Sequence, residues 1–216
     1  MNYKVNEIFH SISGEGGYAG YRCVFIRLTG CNLKCSYCDT TYAFEEGKEM
    51  TTEEIIKEIE QYKCRLICIT GGEPLLQDIN ELLDNLLNLH YKIIIETNGS
   101  IDLDKIRKFA SNKNVTINMD WKLPSSGMEN YMLPYNLEKL YQYDELKFVI
   151  GNKKDYERMK ELMSSCFNKS FQIYLSPVYN MIELEDLWKW IVEDKLDYKL
   201  QIQLHKVAFR EKTRGV

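Results

Sequence analysis

Apolar residues along this chain fall into two alternating rhythms. Short runs of β-branched and aliphatic residues occupy 24–28, 66–70, 93–96, 116–120, 145–150, 172–175 and 201–204, each about the length of one strand. Between them the spacing becomes that of a helix. Ile55, Ile56 and Ile59 follow the capping box Thr51-x-x-Glu54, and Ile79, Leu82, Leu83, Leu86 and Leu87 follow Asp78 with Glu81. Strand and helix in regular alternation predict a parallel sheet with crossover helices. About six or seven parallel strands in 216 residues fall short of the roughly 250 of a full eightfold barrel. The fold predicted is therefore α/β, a partial, TIM-like β/α barrel. Its chemistry belongs at the C-terminal ends of the strands, where the chain reads Leu-Thr-Gly-Cys, Ile-Thr-Gly-Gly-Glu-Pro, Glu-Thr-Asn-Gly and Leu-Ser-Pro. The first strand is placed near Val24, after a polar, Gly-rich stretch over 11–21, and 124–134 is a second irregular stretch. Neither resembles a linker, so residues 1–216 are read as one domain.

Composition narrows the class. With 44% hydrophobic and 28% charged residues this is an ordinary folding sequence. A net charge of -4 excludes a counterion-displacing nucleic-acid binder, and no apolar run approaches the roughly 20 residues of a membrane span. The N-terminus has no basic segment followed by an apolar run, which places the chain in the reducing cytoplasm. There its seven cysteines stay free rather than pairing.

Three of them stand together in GCNLKCSYCDTTY, as Cys31-x-x-x-Cys35-x-x-Cys38 directly after the first predicted strand. Structural zinc wants four closed ligands, and no fourth Cys or His follows nearby. A ferredoxin-type centre likewise wants four thiolates. Three suit a [4Fe-4S] cluster whose fourth iron is open to an external ligand. Cys23, Cys64, Cys68 and Cys166 are read as small packed thiols, and His10 and His90 as structural.

The three-cysteine spacing, with Tyr37 before the last Cys, resembles the radical S-adenosylmethionine enzymes. Thr70-Gly71-Gly72-Glu73-Pro74 resembles that superfamily's motif for the methionine end of the cofactor. The resemblance implies that S-adenosylmethionine chelates the open iron and that the reduced cluster cleaves it to a 5'-deoxyadenosyl radical. It implies cofactor contacts from Tyr37, Cys38, Asp39, Gly72 and Glu73, the last accepting from the cofactor's ammonium, and from Asp120, Lys122 and Ser176. The opening EIFHSISGEGGYAGYRCVFIRLTGCNLKCSYCDT, the segment DWKLPSSG and the ending LHKVAFREKTRGV are similar to those of the 7-carboxy-7-deazaguanine synthases. In that family 6-carboxy-5,6,7,8-tetrahydropterin undergoes ring contraction with loss of ammonia, and S-adenosylmethionine is regenerated.

The same resemblance implies Mg2+ on Thr40, a hard oxygen ligand. It implies substrate contacts from Ile12, Ser13, Gly14, Glu15, Thr70, His205 and the carboxylate of Val216. Arg27 offers a planar fork for the substrate carboxylate. Residues 1–23 then form a substrate-binding segment and 201–216 a segment closing the pocket. Where the family often has Gln this chain has Ser13, so a backbone contact is expected there, and Ala208-Phe209-Arg210 departs from an aromatic followed by Gly. A flavodoxin or ferredoxin-type electron donor and a homodimer are also implied. Two alternatives share the cysteines: a glycyl-radical enzyme activase and a non-catalytic zinc-binding interaction module. The SGEG opening with Arg27 and Thr40 favours a small carboxylated substrate.

Overall fold

The computed structural model describes residues 1–167, 170–210 and 214–215. A single nine-stranded sheet organises them. Strands β1 (Asn2–Ile12), β2 (Arg22–Leu28) and β3 (Lys48–Thr51) precede helix α1 (Thr52–Glu60). Then come β4 (Leu66–Gly71), α2 (Asn80–Asn88), β5 (Lys92–Thr97), β6 (Val115–Trp121), β7 (Glu145–Ile150) and α3 (Lys153–Ser165). The chain ends with β8 (Gln172–Pro177), α4 (Leu184–Glu193), β9 (Lys199–Leu200) and α5 (Leu204–Phe209).

The order across the sheet is β3-β1-β2-β4-β5-β6-β7-β8-β9. Neighbours from β2 to β9 are parallel, and β1 runs antiparallel to β2 and β3. β3 and β9 are the two edges, so the barrel is open, with seven parallel strands among the described residues. The central strands are buried on both faces, as parallel strands under crossovers must be: Ile67, Ile69, Ile93 and Ile95 on one face and Cys68 and Ile94 on the other are all inaccessible or nearly so. Among the described residues no helix is long and apolar enough to cross a membrane.

Four sequence expectations are corrected. The chain enters the sheet at Asn2, not near Val24. A bulge between Val5 and Glu7 shifts the side-chain parity of β1, so Tyr3 and Val5 are not followed by the strict alternation that marks a strand. At the other end, the run 201–204 is not a strand. Gln201 makes one more ladder bond to Leu175, but its side chain is drawn to the backbone of Gly16, and the chain turns into α5 at Leu204.

The capping box before α1 is present in full, whereas Asp78 and Glu81 do not form one. Asp78 accepts from Asn80, and Glu81 accepts instead from Thr52 and the chain's N-terminal ammonium. Finally, the β5–β6 and β6–β7 crossovers are 3-10 turns rather than α-helices. Proline opens two of those turns, and the buried Asn136 amide knits them together through Gly99, Ile101 and Leu103.

Candidate active site

A cavity of about 610 Å³ opens at the C-terminal ends of the parallel strands. One wall is the cysteine loop, and the second motif seats it. Glu73 N donates to Gly30 O at 2.8 Å. A Cβ on Gly72 would lie 2.2 Å from Gly30 O and 2.6 Å from Cys31 Cβ. The glycines of TGGEP therefore make room for the cysteine loop as well as for any ligand. From the opposite side Ser36 donates to the carbonyls of Ser125 and Ser126, and Lys34 N meets Met128 Sδ. The DWKLPSSG segment thus clamps the loop in place.

Cys31, Cys35 and Cys38 all line the cavity. Burial pushes each thiol pKa up, so as thiolates they need a cation. Among the described residues no three His, Cys, Asp or Glu side chains are placed to hold a single metal ion. A cubane takes one thiolate per iron and so does not need the three to converge on a single ion, as a lone zinc would. The remaining four cysteines are buried.

Across from the loop lie the expected cofactor residues. Asp120 and Lys122 pair at 3.0 Å. Burial works against both charges, but each holds the other, keeping Asp120 below and Lys122 above its usual range. The Lys122 ammonium sits 6.0 Å from the Tyr37 ring. Tyr37 Oη, Asp120 Oδ1 and Ser176 Oγ are buried without a hydrogen-bond partner among the described residues. Buried polar atoms are rarely left so, and these three are the unsatisfied groups of this wall.

Glu73 is held firmly from within the fold. It is fully buried behind the cavity wall, with both oxygens accepting from Thr97 Oγ1 and further bonds from Leu75 N and Asn98 N. Burial raises its pKa to about 6 despite these donors.

The substrate side brings together residues from both ends of the chain. Ile12, Gly14, Glu15, Arg27, Thr70 and His205 line the same cavity. Arg27 directs its Nε to Glu7 at 2.8 Å and lies between the Phe9 and Tyr42 rings. Thr70 donates to Glu96 at 2.7 Å. His205 packs so closely on Gly14 that a Cβ there would lie 2.9 Å from its Nδ1.

Ser13 is the exception: its N–H and C=O bond Tyr21 and Gly20, and its hydroxyl bonds Glu15 O. The backbone groups expected to meet substrate are thus already engaged in closing the loop. Thr40 donates to Asp39 Oδ1 at 2.9 Å. Burial alone would raise the Asp39 carboxyl, but His205 and Lys206 overcome it and hold it well below the carboxylate range. Val216 lies outside the described residues.

The sequence reading missed Glu96, Asn98, Lys147 and Lys206, all of which line the cavity, and Glu145, which accepts from Gly17 N at 2.7 Å. A signal existed for some of them. Glu96 ends an all-isoleucine run, and Glu145 and Lys147 alternate within an otherwise apolar strand, so a charge on a buried face marked the cavity side. Lys206 carried no such mark.

Comparison with known proteins bears on the family of the chain. Residues 25–191 match the radical SAM superfamily. The 7-carboxy-7-deazaguanine synthase of Clostridium acetobutylicum is 44% identical, with each chain fully covered. That of Koribacter versatilis is 35% identical over 99% of this chain and 100% of its own. The crystal structure of QueE from Escherichia coli superposes with a TM-score of 0.77 at 26% identity, covering 94% of both chains.

Proposed function

Because the chain belongs to the radical SAM superfamily and, within it, to the 7-carboxy-7-deazaguanine synthases, we propose that its cavity converts 6-carboxy-5,6,7,8-tetrahydropterin to 7-carboxy-7-deazaguanine, releasing ammonia. The observation that carries this reading is one cavity holding the three-cysteine loop, a buried arginine and the Glu15 carboxylate. Bound together, a [4Fe-4S] cluster and S-adenosylmethionine supply reductive carbon–sulfur cleavage and the radical chemistry that follows.

The protein's own residues do the rest. Cys31, Cys35 and Cys38 hold the cluster. Tyr37, Asp120 and Ser176 offer unpartnered oxygens to the cofactor, Lys122 fixes Asp120, and Gly72 and Glu73 shape the wall. Asp39 ties the cluster loop to α5 through Lys206 at 2.6 Å. Arg27, which lines the cavity with its Nε engaged by Glu7, takes the substrate carboxylate. Glu15 and Glu96 accept from the pterin's N–H groups, while Ile12, Gly14, Thr70 and His205 enclose it.

Thr40 and its neighbour Asp39 form a hard-oxygen pair suited to Mg2+, which completes its shell with water and substrate oxygens. Residues 1–23 and 201–216, Val216 among them, form the substrate-side segments of one domain. A cytoplasmic homodimer served by a flavodoxin or ferredoxin completes the reading.

Anaerobic reconstitution with iron and sulfide, followed by S-adenosylmethionine, Mg2+, dithionite and the carboxypterin, tests it. Formation of 7-carboxy-7-deazaguanine by mass is expected. A brown, cleavage-competent protein that leaves the pterin unchanged overturns the substrate and returns attention to an activase. Replacing Cys31, Cys35 or Cys38 by Ala is expected to abolish S-adenosylmethionine cleavage. Thr40→Ala is expected to keep the cluster and lose the stimulation by Mg2+.

A further inference from the structure

Four charged side chains share the cavity floor, and they are each other's partners. Lys147 Nζ lies 2.9 Å from Glu15 Oε2 and 3.3 Å from Asp120 Oδ2. Lys122 Nζ lies 3.0 Å from the same Asp120 oxygen. None of these side chains is more than 18% exposed. In both carboxylates the second oxygen, Glu15 Oε1 and Asp120 Oδ1, is buried with no partner among the described residues. Lys147 thus grips one oxygen of each carboxylate and leaves the other without a partner among the described residues.

The mounting is asymmetric. Asp120 and Lys147 are register partners on β6 and β7, so their separation is set by the sheet. Glu15 belongs to the Gly-rich loop, which is pinned at Gly16 by Gln201 and at Gly17 by Glu145. The lysine links that loop directly to Asp120 on β6.

We propose that Lys147 is a positioning residue, fixing the substrate-side carboxylate of Glu15 relative to the cofactor-side carboxylate of Asp120. This rests on the proposed function, in which Glu15 meets the pterin and Asp120 the cofactor. A buried ammonium with several donors suits this role, because it spans two carboxylates and balances their charge without occupying their free oxygens. The consequence is a fixed distance between the cofactor's reactive carbon and the pterin, and radical hydrogen transfer is sensitive to misplacement of about 1 Å. Without the link, S-adenosylmethionine is still cleaved, but the radical takes its hydrogen atom from buffer or reductant instead of substrate.

The test compares wild type with Lys147→Met, Lys147→Gln and Lys147→Arg under dithionite. Each sample is read for cluster absorbance, 5'-deoxyadenosine and 7-carboxy-7-deazaguanine. Met and Gln are expected to keep the cluster and to raise the ratio of 5'-deoxyadenosine to product at least tenfold. Arg, which retains the charge, is expected to bring the ratio to within about threefold of wild type. A ratio in Met and Gln within twofold of wild type overturns the role. So does a parallel loss of cluster, cleavage and product in both, which marks a merely structural lysine. A wild-type protein that cleaves its cofactor but makes no product sinks the proposed function and this role with it. A working wild type with an unmoved ratio in the variants sinks the role alone.

Discussion

Glu145 is a carboxyl that the fold keeps protonated to near neutrality. It is buried, and that burial raises its pKa to about 7 even though Gly17 N–H opposes the shift. The folded value exceeds the ordinary 4.5, so the native state holds the proton longer than the unfolded chain does. The stabilisation is fully present below pH 4.5 and is lost as pH rises through about 7, with a ceiling of about 3 kcal/mol. Glu145→Gln keeps an acceptor for Gly17 and removes the titration. The stability difference between variant and wild type, from urea melts, should therefore shift in the variant's favour between pH 5 and pH 8. A pH-independent difference refutes this. Gly72→Ala places a Cβ 2.2 Å from Gly30 O, and we expect less than a tenth of wild-type iron after reconstitution. Residues whose chemistry is local were legible in the sequence: three thiols within eight positions declare themselves. Lys147 was marked as a charge in an apolar strand, but its pairing was not legible, because its partner Glu15 lies 132 positions away and only the folded sheet brings the two charges together.

Helix α1 shows how much an element depends on its first turn. Thr51 accepts from Glu54 N, and Glu54 accepts in return from Thr51 N, which satisfies two otherwise orphaned donors. Thr51→Ala should cost about 1 kcal/mol, a fall in Tm of roughly 2–4 °C for a chain of this size. S-adenosylmethionine cleavage at 25 °C should not change, since α1 does not line the cavity. The box was legible because it is a four-residue device. The equivalent reading at Asp78 and Glu81 failed because Glu81 is drawn away by Thr52 and the N-terminal ammonium. Strand β1 escaped notice for a related reason, its alternation being broken by a single bulge. Elements governed by neighbours in sequence could be read in advance; those governed by neighbours in space could not.

At the scale of the whole molecule, the alternation of strand and helix was enough to foresee an open parallel barrel, but not that both ends of the chain meet over its mouth. Leu204 N donates to Gly14 O at 3.2 Å, and Lys206 pairs with Asp39 at 2.6 Å. Deleting residues 204–216 should leave the cluster and cofactor cleavage intact while raising the pterin KM at least tenfold. An unchanged KM in steady-state assays refutes the closing role of that segment. The clamp on the cysteine loop also has a bearing on biosynthesis. Cys38 emerges from the ribosome long before Asn98, which approaches Cys31, and before Ser125 and Ser126, which grip Ser36. Chains fold from the N-terminus as they are made, so a nascent chain exposes three thiols with no socket around them. Iron and sulfide are then best delivered after translation has passed Ser126, and a chain stalled earlier offers oxidants its ligands without their shelter.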